Sequence, residues 1–331
     1  MMSPMPGVAS ESEAMGEQGT GSKGRNAVLV FLLAISVFPA FVVAVEEKPL
    51  PFIVLHGIGD ECRNQGLYEF TNFLINESGA FGFCIEIGNG ASDSFFMRLD
   101  KQADLVCEQV KKIPELRGGY NVVGLSQGNV VARAVIEFCD GGPPVHNFVS
   151  LGGPHAGTAS IPGCSIMSLC KLADALIRLG VYSSFVQNHL APSGYVKIPN
   201  DLAAYYKGSM FLPKLNNEIA STRNETYKKR FESINHLVLI MFQEDAILVP
   251  PQTAWFGYYG ENDFTTVLPP ERTDLYKEDW IGLRTLDEAG RVTYIAFPGD
   301  HLSINDVQLK KFVVPYLRSS PIAPSIDWSS Y

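Results

Sequence analysis

The pentapeptide Gly124–Gly128, which reads Gly-Leu-Ser-Gln-Gly, constrains the fold of this chain more than any other feature. The preceding residues Tyr120–Val123 include the aromatic and β-branched types that favour a buried strand. The following residues Gly128–Cys139 carry apolar side chains at helical spacing. A serine between such a strand and such a helix lies on a sharp, strained turn, with the helix N-terminus beneath its oxygen. The pattern therefore predicts an α/β sheet in which Ser126 is a nucleophile.

Composition and charge narrow the class of protein. The chain has 331 residues, of which 46% are hydrophobic and 18% are charged, as expected for a globular chain with a substantial core. A formal net charge of −9 and the lack of a Lys/Arg-rich run argue against nucleic-acid binding. The sequence also lacks a nucleotide-binding glycine-rich loop and a His/Cys cluster at zinc spacing, so we expect neither a metal nor a cofactor.

The N-terminal region precedes the globular part and differs from it in composition. Residues 1–26 are polar and small, which predicts a disordered tail. Residues 27–45 are almost wholly apolar, with basic residues before them and acidic residues after, which is the charge order of a signal sequence. A signal anchor is the alternative, since about 20 apolar residues span a bilayer, but Pro39 favours cleavage. Residues 48–331 are then expected in the secretory pathway, either in a lysosome or vacuole or outside the cell.

Cysteines and glycosylation sequons fit the same route. All six cysteines follow the apolar segment, and an even number of cysteines suits an oxidising compartment. Counting them does not fix how they pair. Asn76 and Asn224 each begin an Asn-x-Ser/Thr sequon, and either match could be accidental. The six cysteines are Cys62, Cys84, Cys107, Cys139, Cys164 and Cys170.

Apolar runs alternate with helical patterns along most of residues 48–331, which predicts a mostly parallel sheet flanked by helices, the α/β-hydrolase architecture. The interruption at about 160–235 has helical patterns of its own, around 166–177 and near 215–230. We therefore expect a helical cap there rather than a loop. We predict strands over residues 51–55, 83–87, 120–123, 148–151, 237–242 and 292–297, and further helices over 95–113, 128–139 and 304–317.

A histidine and an acid should complete the site, because a serine hydroxyl is a poor nucleophile until a base takes its proton. In this architecture the chain order is serine, acid, histidine, each on a turn after a strand. His301 follows the last predicted strand, and Asp245 follows the strand before it. Glu244 is the local alternative for the acid, whereas Asp300 is expected to be a turn residue because adjacent side chains rarely face each other. The other histidines lie too early in the chain or in the cap, and they are His56, His146, His155, His189 and His236.

Backbone N–H groups must also meet the oxyanion that develops during attack on a carbonyl. One donor should be Gln127, directly after the nucleophile, and the other should come from a loop after an early strand. The segment His56–Gly59 is placed for this role, and Ile58 is our candidate within it. An ordinary tight turn is the alternative interpretation of the same residues.

Several motifs in register resemble the palmitoyl-protein thioesterases. They are His56–Asp60 (HGIGD), Gly124–Gly128 (GLSQG), Gly299–Leu302 (GDHL) and the tract from Trp255 to Gly290. The resemblance spans roughly residues 51–317 and leaves only the targeting region and the C-terminal tail outside.

The resemblance implies site residues as well as a fold. It implies a triad of Ser126, Asp245 and His301 and an oxyanion hole from Ile58 and Gln127. It further implies that Asn224 is glycosylated, and Asn76 is the second candidate. Within the cap, the candidates for an acyl-binding groove are Leu176, Val181, Val186 and Gln187, although packing is the expected role of most apolar cap residues. The implied disulfides are Cys107–Cys139 and Cys164–Cys170.

Two positions depart from the family pattern. The animal lysosomal member has two adjacent cysteines after the first motif, whereas Arg63 follows Cys62 here. With the other pairs implied by the resemblance, elimination leaves Cys62 to pair with Cys84. Asn129 stands where that member has a second glycine, which could change the floor of the serine turn without altering the triad.

The resemblance implies a serine hydrolase that cleaves thioester-linked long-chain fatty acyl groups, such as palmitate, from S-acylated cysteine in proteins or peptides. A carboxylester lipase or esterase of the same fold is the first alternative. A non-catalytic lipid-binding protein is the second, although such proteins usually lack a triad member and none is missing here. We expect a monomer that contacts a membrane only through residues 27–45, if these are not cleaved.

Overall fold

The computed structural model of the protein describes residues 48–159 and 180–318. Within these two ranges, no helix is both long and apolar enough to cross a membrane. Several predicted features lie outside the described residues, and they are the tail at 1–26, the apolar segment at 27–45, the cap helix around 166–177, Leu176, Cys164 and Cys170.

Six strands form one sheet in which every neighbouring pair is parallel, as the alternation of apolar runs and helices predicts. They are β1 (Phe52–Leu55), β2 (Gly82–Cys84), β3 (Tyr120–Leu125), β4 (Val145–Leu151), β5 (His236–Phe242) and β8 (Val292–Phe297). The spatial order is β2-β1-β3-β4-β5-β8, so the chain moves outward from β1 to β2 and returns to β3 on the other side of β1. Such a reversal opens a crevice at the carboxyl ends of β1 and β3, where open α/β sheets bind ligands.

Helices and a small ribbon surround the sheet. Two short strands, β6 (Tyr258–Tyr259) and β7 (Val267–Leu268), pair antiparallel outside it. The described α-helices are α1 (Gln65–Ser78), α2 (Ala91–Phe96), α3 (Leu99–Lys112), α4 (Gly128–Phe138), α5 (Ser184–His189), α6 (Leu202–Gly208), α7 (Leu212–Leu215), α8 (Glu225–Glu232), α9 (Asp274–Lys277), α10 (Leu283–Glu288) and α11 (Asp306–Phe312). The described 3₁₀ turns are Pro114–Leu116, Ala191–Tyr195, Ala220–Thr222, Pro251–Trp255, Pro270–Arg272 and Val314–Leu317.

The sheet is buried on both faces, which explains why its strands are continuous apolar runs rather than alternating ones. In β1, Ile53 and Leu55 belong to the core under α3 and α4. The alternate residues Phe52 and Val54 belong to the core under α1 and α11. Successive side chains of a strand point to opposite faces, so each strand anchors both layers at once.

The predicted helix over residues 95–113 is wrong as a single element. The chain leaves the helical conformation at Met97 and Arg98 and forms α2 and α3 instead. The amide of Gln102 donates to the carbonyl oxygens of Ser94 and Met97 at 3.4 and 2.7 Å, and these acceptors belong to the end of α2. A buried side chain thus replaces the backbone donors that a continuous helix would have supplied.

Two other predicted helices are also interrupted. In place of one helix near 215–230 the structure has α7, a 3₁₀ turn and α8, and the Asn224 side chain caps α8 by accepting from the N–H groups of Thr226 and Tyr227. In place of one helix over 304–317 it has α11 followed by a 3₁₀ turn, because Pro315 lacks the N–H that would continue an α-helix.

Two disulfides link separate elements, and all four cysteines of the described ranges take part in them. Cys62 pairs with Cys84, which links the segment after β1 to the end of β2. Cys107 pairs with Cys139, which links α3 to the residue after α4. The structure therefore forms both of the predicted pairs that fall within its described residues.

Candidate active site

Ser126 lies on the turn between β3 and α4 that the pentapeptide predicts. Its φ is +53°, a left-handed conformation that a residue with a Cβ rarely adopts. Its backbone N–H donates to the carbonyl oxygen of Leu151 at the end of β4, at 2.9 Å. The strained residue is therefore fixed to the neighbouring strand at the carboxyl edge of the sheet.

Close backbone packing explains the glycines around this serine. A Cβ on Gly128 would lie 2.3 Å from the carbonyl oxygen of Leu55, so α4 can begin directly against the end of β1 only without a side chain there. A Cβ on Gly124 would lie 2.2 Å from the Asn129 side-chain oxygen. The Asn129 amide donates to the carbonyl oxygens of Ser126 and Leu151 at 3.1 and 2.8 Å. The departure from the family pattern at Asn129 therefore forms part of the floor of the turn.

His301 joins Ser126 to Asp245. Its Nε2 lies 2.8 Å from Ser126 Oγ, and its Nδ1 lies 2.6 Å from Asp245 Oδ2. Asp245 Oδ1 accepts from the backbone N–H groups of Ile247 and Leu248 at 2.8 and 2.9 Å. Because the carboxylate accepts the Nδ1–H of the ring, Nε2 is left as the acceptor for the serine proton, which is what nucleophilic attack by serine requires. The His301 and Asp245 side chains are 13% and 2% exposed, so the pair is shielded from water.

The alternative acid, Glu244, does not reach the histidine. Its carboxylate is exposed and accepts instead from the backbone N–H of Gly299, two residues before His301. The carbonyl of Asp300 accepts from the N–H of Ser303, as expected of a turn residue. The structure thus brings together Asp245 and His301, in the chain order that the sequence predicts.

His155 and His56, which also follow strands, have structural surroundings. His155 is fully buried, its Nε2 lies 2.8 Å from Ser150 Oγ, and its ring stacks on Phe256 at 4.6 Å between centroids. Burial lowers the pKa of His155 well below its ordinary value, so the ring is neutral. His56 Nε2 lies 2.9 Å from a carboxylate oxygen of Glu86, a residue that follows β2.

The loop after β1 passes directly beside the serine. A Cβ on Gly57 would lie 3.1 Å from Ser126 Cβ and 3.7 Å from its Oγ. The Asp60 N–H donates to the Gly57 carbonyl at 3.4 Å, so the segment is a tight turn as well as a neighbour of the nucleophile. In the described part of the chain, the backbone N–H groups of Ile58 and Gln127 donate to no acceptor. Among the described residues both N–H groups are therefore without an acceptor, and their role in an oxyanion hole stays a prediction.

The predicted groove residues that the structure describes lie in the segment for which a cap is predicted. Val181 and Val186 are buried and pack with Val196. The Gln187 amide nitrogen donates to the carbonyl oxygens of Val181 and Ser193 at 2.8 and 2.9 Å. These contacts hold residues 181–196 to one another, and a role in lining an acyl groove stays a prediction.

The two sequons differ in their surroundings. Asn76 is exposed on α1, while the Ser78 hydroxyl of the same sequon is buried and donates to the Leu74 carbonyl at 2.6 Å. Asn224 is partly exposed at the start of α8, where its side-chain oxygen caps the helix. Glycosylation at either position stays a prediction.

Residues outside the sequence motifs hold the site together. The Gln127 side chain donates to the Ser94 carbonyl at 2.7 Å and accepts from the Tyr195 hydroxyl at 3.1 Å. Neither Ser94 nor Tyr195 belongs to a pattern that sequence reasoning could use. Across residues 48–159 and 180–318, no group of three His, Cys, Asp or Glu residues is arranged to hold a metal ion.

The parallel sheet, its strand order and the serine turn at its carboxyl edge define an α/β-hydrolase. The sequence model of one family, described as palmitoyl protein thioesterase, matches residues 51–301. The chain therefore belongs to the palmitoyl protein thioesterase family.

Named relatives agree with this assignment. The chain is 37% identical to "Palmitoyl-protein thioesterase 1" of Caenorhabditis elegans, over 80% of this chain and 93% of the relative. It is 30% identical to "Palmitoyl-protein thioesterase 3" of Dictyostelium discoideum, over 88% of this chain and 98% of the relative. It is 33% identical to "Lysosomal thioesterase PPT2 homolog" of Drosophila melanogaster, over 84% of this chain and 92% of the relative.

Proposed function

We propose that this protein is a serine hydrolase that removes long-chain fatty acyl groups, such as palmitate, from S-acylated cysteine in proteins or peptides. The observation that carries the proposal is the continuous contact from Ser126 Oγ through His301 to Asp245, at 2.8 and 2.6 Å. Membership of the palmitoyl protein thioesterase family supports the thioester as substrate.

In the proposed first half of the reaction, His301 Nε2 takes the proton of Ser126 Oγ while that oxygen attacks the thioester carbonyl. Asp245 stabilises the imidazolium that forms, and the N–H groups of Ile58 and Gln127 donate to the oxyanion. The carbon–sulfur bond then breaks. The cysteine sulfur leaves with the proton held by His301, and the acyl group remains on Ser126.

In the proposed second half, water enters in place of the released thiol. His301 takes a proton from this water, which attacks the acyl carbonyl and forms a second oxyanion at the same two donors. Collapse returns the proton from His301 to Ser126 Oγ. One water is consumed, and one fatty acid and one free thiol are released.

The leaving group explains why the triad alone does not select thioesters over esters. A thiol has a pKa of about 8.5, far below that of an alcohol, so it departs with little help from a proton donor. The triad also makes no contact that depends on the length of the acyl chain. Selectivity for long chains must come from apolar contacts, each buried methylene contributing about 0.8 kcal/mol. We propose that the cap supplies these contacts and that Leu176, Val181, Val186 and Gln187 belong to its acyl groove.

The proposal extends to cell location and partners. The two described disulfides suit an oxidising compartment, and relatives carry the name lysosomal thioesterase. We place the protein in the secretory pathway, in a lysosome or vacuole or outside the cell, after cleavage at residues 27–45. We propose a monomer glycosylated at Asn224, with no nucleic-acid partner and no cofactor.

The decisive experiment compares a palmitoyl thioester with the matched oxygen ester on the purified protein. We expect a higher kcat/KM for the thioester and complete loss of both activities in Ser126→Ala. A fluorophosphonate probe should label the parent and leave Ser126→Ala unlabelled. A clear preference for the ester would identify a carboxylester lipase instead. Absence of both labelling and hydrolysis in the folded parent protein would favour a lipid-binding protein, and labelling of Ser126→Ala would exclude Ser126 as nucleophile.

A further inference from the structure

Ser94 is a fully buried polar residue in α2 that lies outside the triad and outside every sequence motif. Its hydroxyl donates to the Ala91 carbonyl at 2.7 Å, within its own helix. The same hydroxyl accepts a hydrogen bond from the loop after β1. The Ser94 carbonyl accepts one from Gln127, the residue after the nucleophile. A buried hydroxyl with such partners has a defined orientation, because leaving either bond unmade would be costly.

The first bond holds the loop after β1. The backbone N–H of Gly59 donates to Ser94 Oγ at 2.7 Å. This bond fixes the peptide group that joins Ile58 to Gly59, and Gly59 itself has a φ of +74° that only its missing Cβ makes easy. The direction of the Ile58 N–H is thereby limited from its C-terminal side.

The second bond holds the residue after the nucleophile. The Gln127 amide nitrogen donates to the Ser94 carbonyl at 2.7 Å, while its amide oxygen accepts from the Tyr195 hydroxyl. Gln127 is 2% exposed, so both ends of its side chain are committed. The Gln102 side chain stabilises the end of α2, because its amide donates to the carbonyl of Met97, the residue after the helix, at 2.7 Å.

We propose that Ser94 is a positioning residue that fixes the two oxyanion donors, Ile58 and Gln127, relative to each other. This inference rests on the proposed function, because it assigns Ser94 to the stabilisation of the oxyanion. Ser94 does not touch the reacting atoms. Its hydroxyl binds the loop that contains Ile58, and its carbonyl binds the side chain of Gln127. The two N–H groups therefore need no reorientation when charge develops on the oxyanion.

The test compares Ser94→Ala with Ser78→Ala. Ser78 is a matched control because its buried hydroxyl also donates to a carbonyl of its own helix, that of Leu74, and accepts one N–H, that of Ala80. Both variants are made on an Asn76→Gln background, since Ser78 belongs to a sequon. Fluorophosphonate titration counts the competent Ser126 sites, and all rates are expressed per titrated site.

For Ser94→Ala we expect kcat on a palmitoyl thioester to fall about tenfold, less than the loss of a whole oxyanion donor, with KM within about twofold of the parent. Affinity for an acyl trifluoromethyl ketone, which forms an oxyanion on Ser126, should fall by a similar factor. Ser78→Ala should change neither value. If Ser94→Ala keeps kcat within twofold, or if both variants lose the same factor, the proposal is wrong.

A second variant keeps the proposal testable if Ser94→Ala does not fold. Gln127→Met removes the amide that binds Ser94 but keeps the length of the side chain and the backbone N–H, and it should also lose kcat rather than raise KM. Unchanged kcat in Gln127→Met would overturn the role of the Ser94 carbonyl. Failure of the proposed function is a separate result, since it would appear as hydrolysis that survives in Ser126→Ala.

Discussion

One buried acid–base pair contacts the nucleophile from distant parts of the chain and another follows it closely in sequence, and only the first belongs to the candidate active site. His301 and Asp245 lie on loops at the carboxyl edge of the sheet, with side chains 13% and 2% exposed. Arg133 and Glu137 lie one turn apart on α4, directly after the nucleophile, and both side chains are 0% exposed. The pairs are similar in chemistry and differ in what surrounds them.

The Arg133 guanidinium is surrounded by protein on every side. It donates to one Glu137 oxygen at 2.9 Å, to the Asn216 side-chain oxygen at 2.8 Å and to the Leu215 carbonyl at 3.1 Å. It also lies 5.0 Å from the centre of the Phe256 ring. The pair therefore links α4 to α7, and its side chains are fully buried, so neither is exposed to a substrate in solution.

Position explains the contrast between the pairs. The pair at the candidate active site lies where strands end, and its histidine Nε2 lies 2.8 Å from Ser126 Oγ. The pair on α4 faces the end of α7, and the arginine donates to fixed protein acceptors there. Burial of a charge near a nucleophile is thus no sign of catalysis unless a reactive atom is left available.

The largest expected effect separates the carboxylates beside the histidine. Asp245→Asn should lower kcat/KM by about 10⁴-fold, because an amide cannot hold the ring in the tautomer that accepts the serine proton. Glu244→Gln is the matched control, and as an exposed carboxylate away from the ring it should stay within about threefold of the parent. Thioester hydrolysis per titrated Ser126 measures both. A larger loss in Glu244→Gln than in Asp245→Asn would reverse the assignment.

The second prediction concerns stability and the pair on α4. Arg133→Met should lower the free energy of unfolding by about 3–5 kcal/mol, because it strands several buried acceptors and a buried carboxyl group. Activity per titrated site should change less than twofold. Arg63→Met is the control, since it removes the same side chain from a pair in which the arginine is 81% exposed, and it should not change stability measurably. Urea unfolding followed by fluorescence gives the comparison, and equal stability of the two variants would contradict it.

The smallest expected effect is a dependence of stability on pH. Burial raises the pKa of Glu137 to about 7, although Arg133 acts in the opposite direction. In the unfolded chain a glutamate titrates near about 4.3, so between these values the folded state binds more protons. The Glu137 contribution to the free energy of unfolding is therefore present at about pH 4 and falls toward pH 7, by at most about 1.4 kcal/mol per pH unit. Urea titrations at several pH values test this, and Glu137→Gln should flatten the slope. Identical slopes in parent and variant would show that Glu137 does not cause it.

The active-site pair was within reach of sequence reasoning because topology orders it. Each of Ser126, Asp245 and His301 follows a recognisable apolar run, and the carboxyl ends of parallel strands meet at one edge of the sheet. The turn after Asp245 favours this residue over Glu244 as the acid, and in the structure Asp245 is the one that contacts His301. Local pattern and fold pointed to the same residues.

The hydrogen bonds that support the site could not be predicted from the sequence, because no pattern relates their partners. Gly59 and Ser94 are 35 residues apart, and Tyr195 and Gln127 are 68 apart, with no periodic signal that relates them. Helix breaks such as that before Arg98 depend on a buried amide supplied later in the chain by Gln102. Such contacts are determined by tertiary packing, which residue patterns along one segment do not encode.

The left-handed backbone of Ser126 has a consequence for how the protein responds to heat. A residue with a Cβ held at a φ of +53° carries strain of about 1–3 kcal/mol, which the surrounding strands and helix must maintain. We expect the serine to relax to an ordinary conformation when those contacts loosen, before the sheet itself unfolds. Catalytic activity therefore reports on the integrity of a few residues at one edge of the sheet, and on warming it should decline ahead of global unfolding.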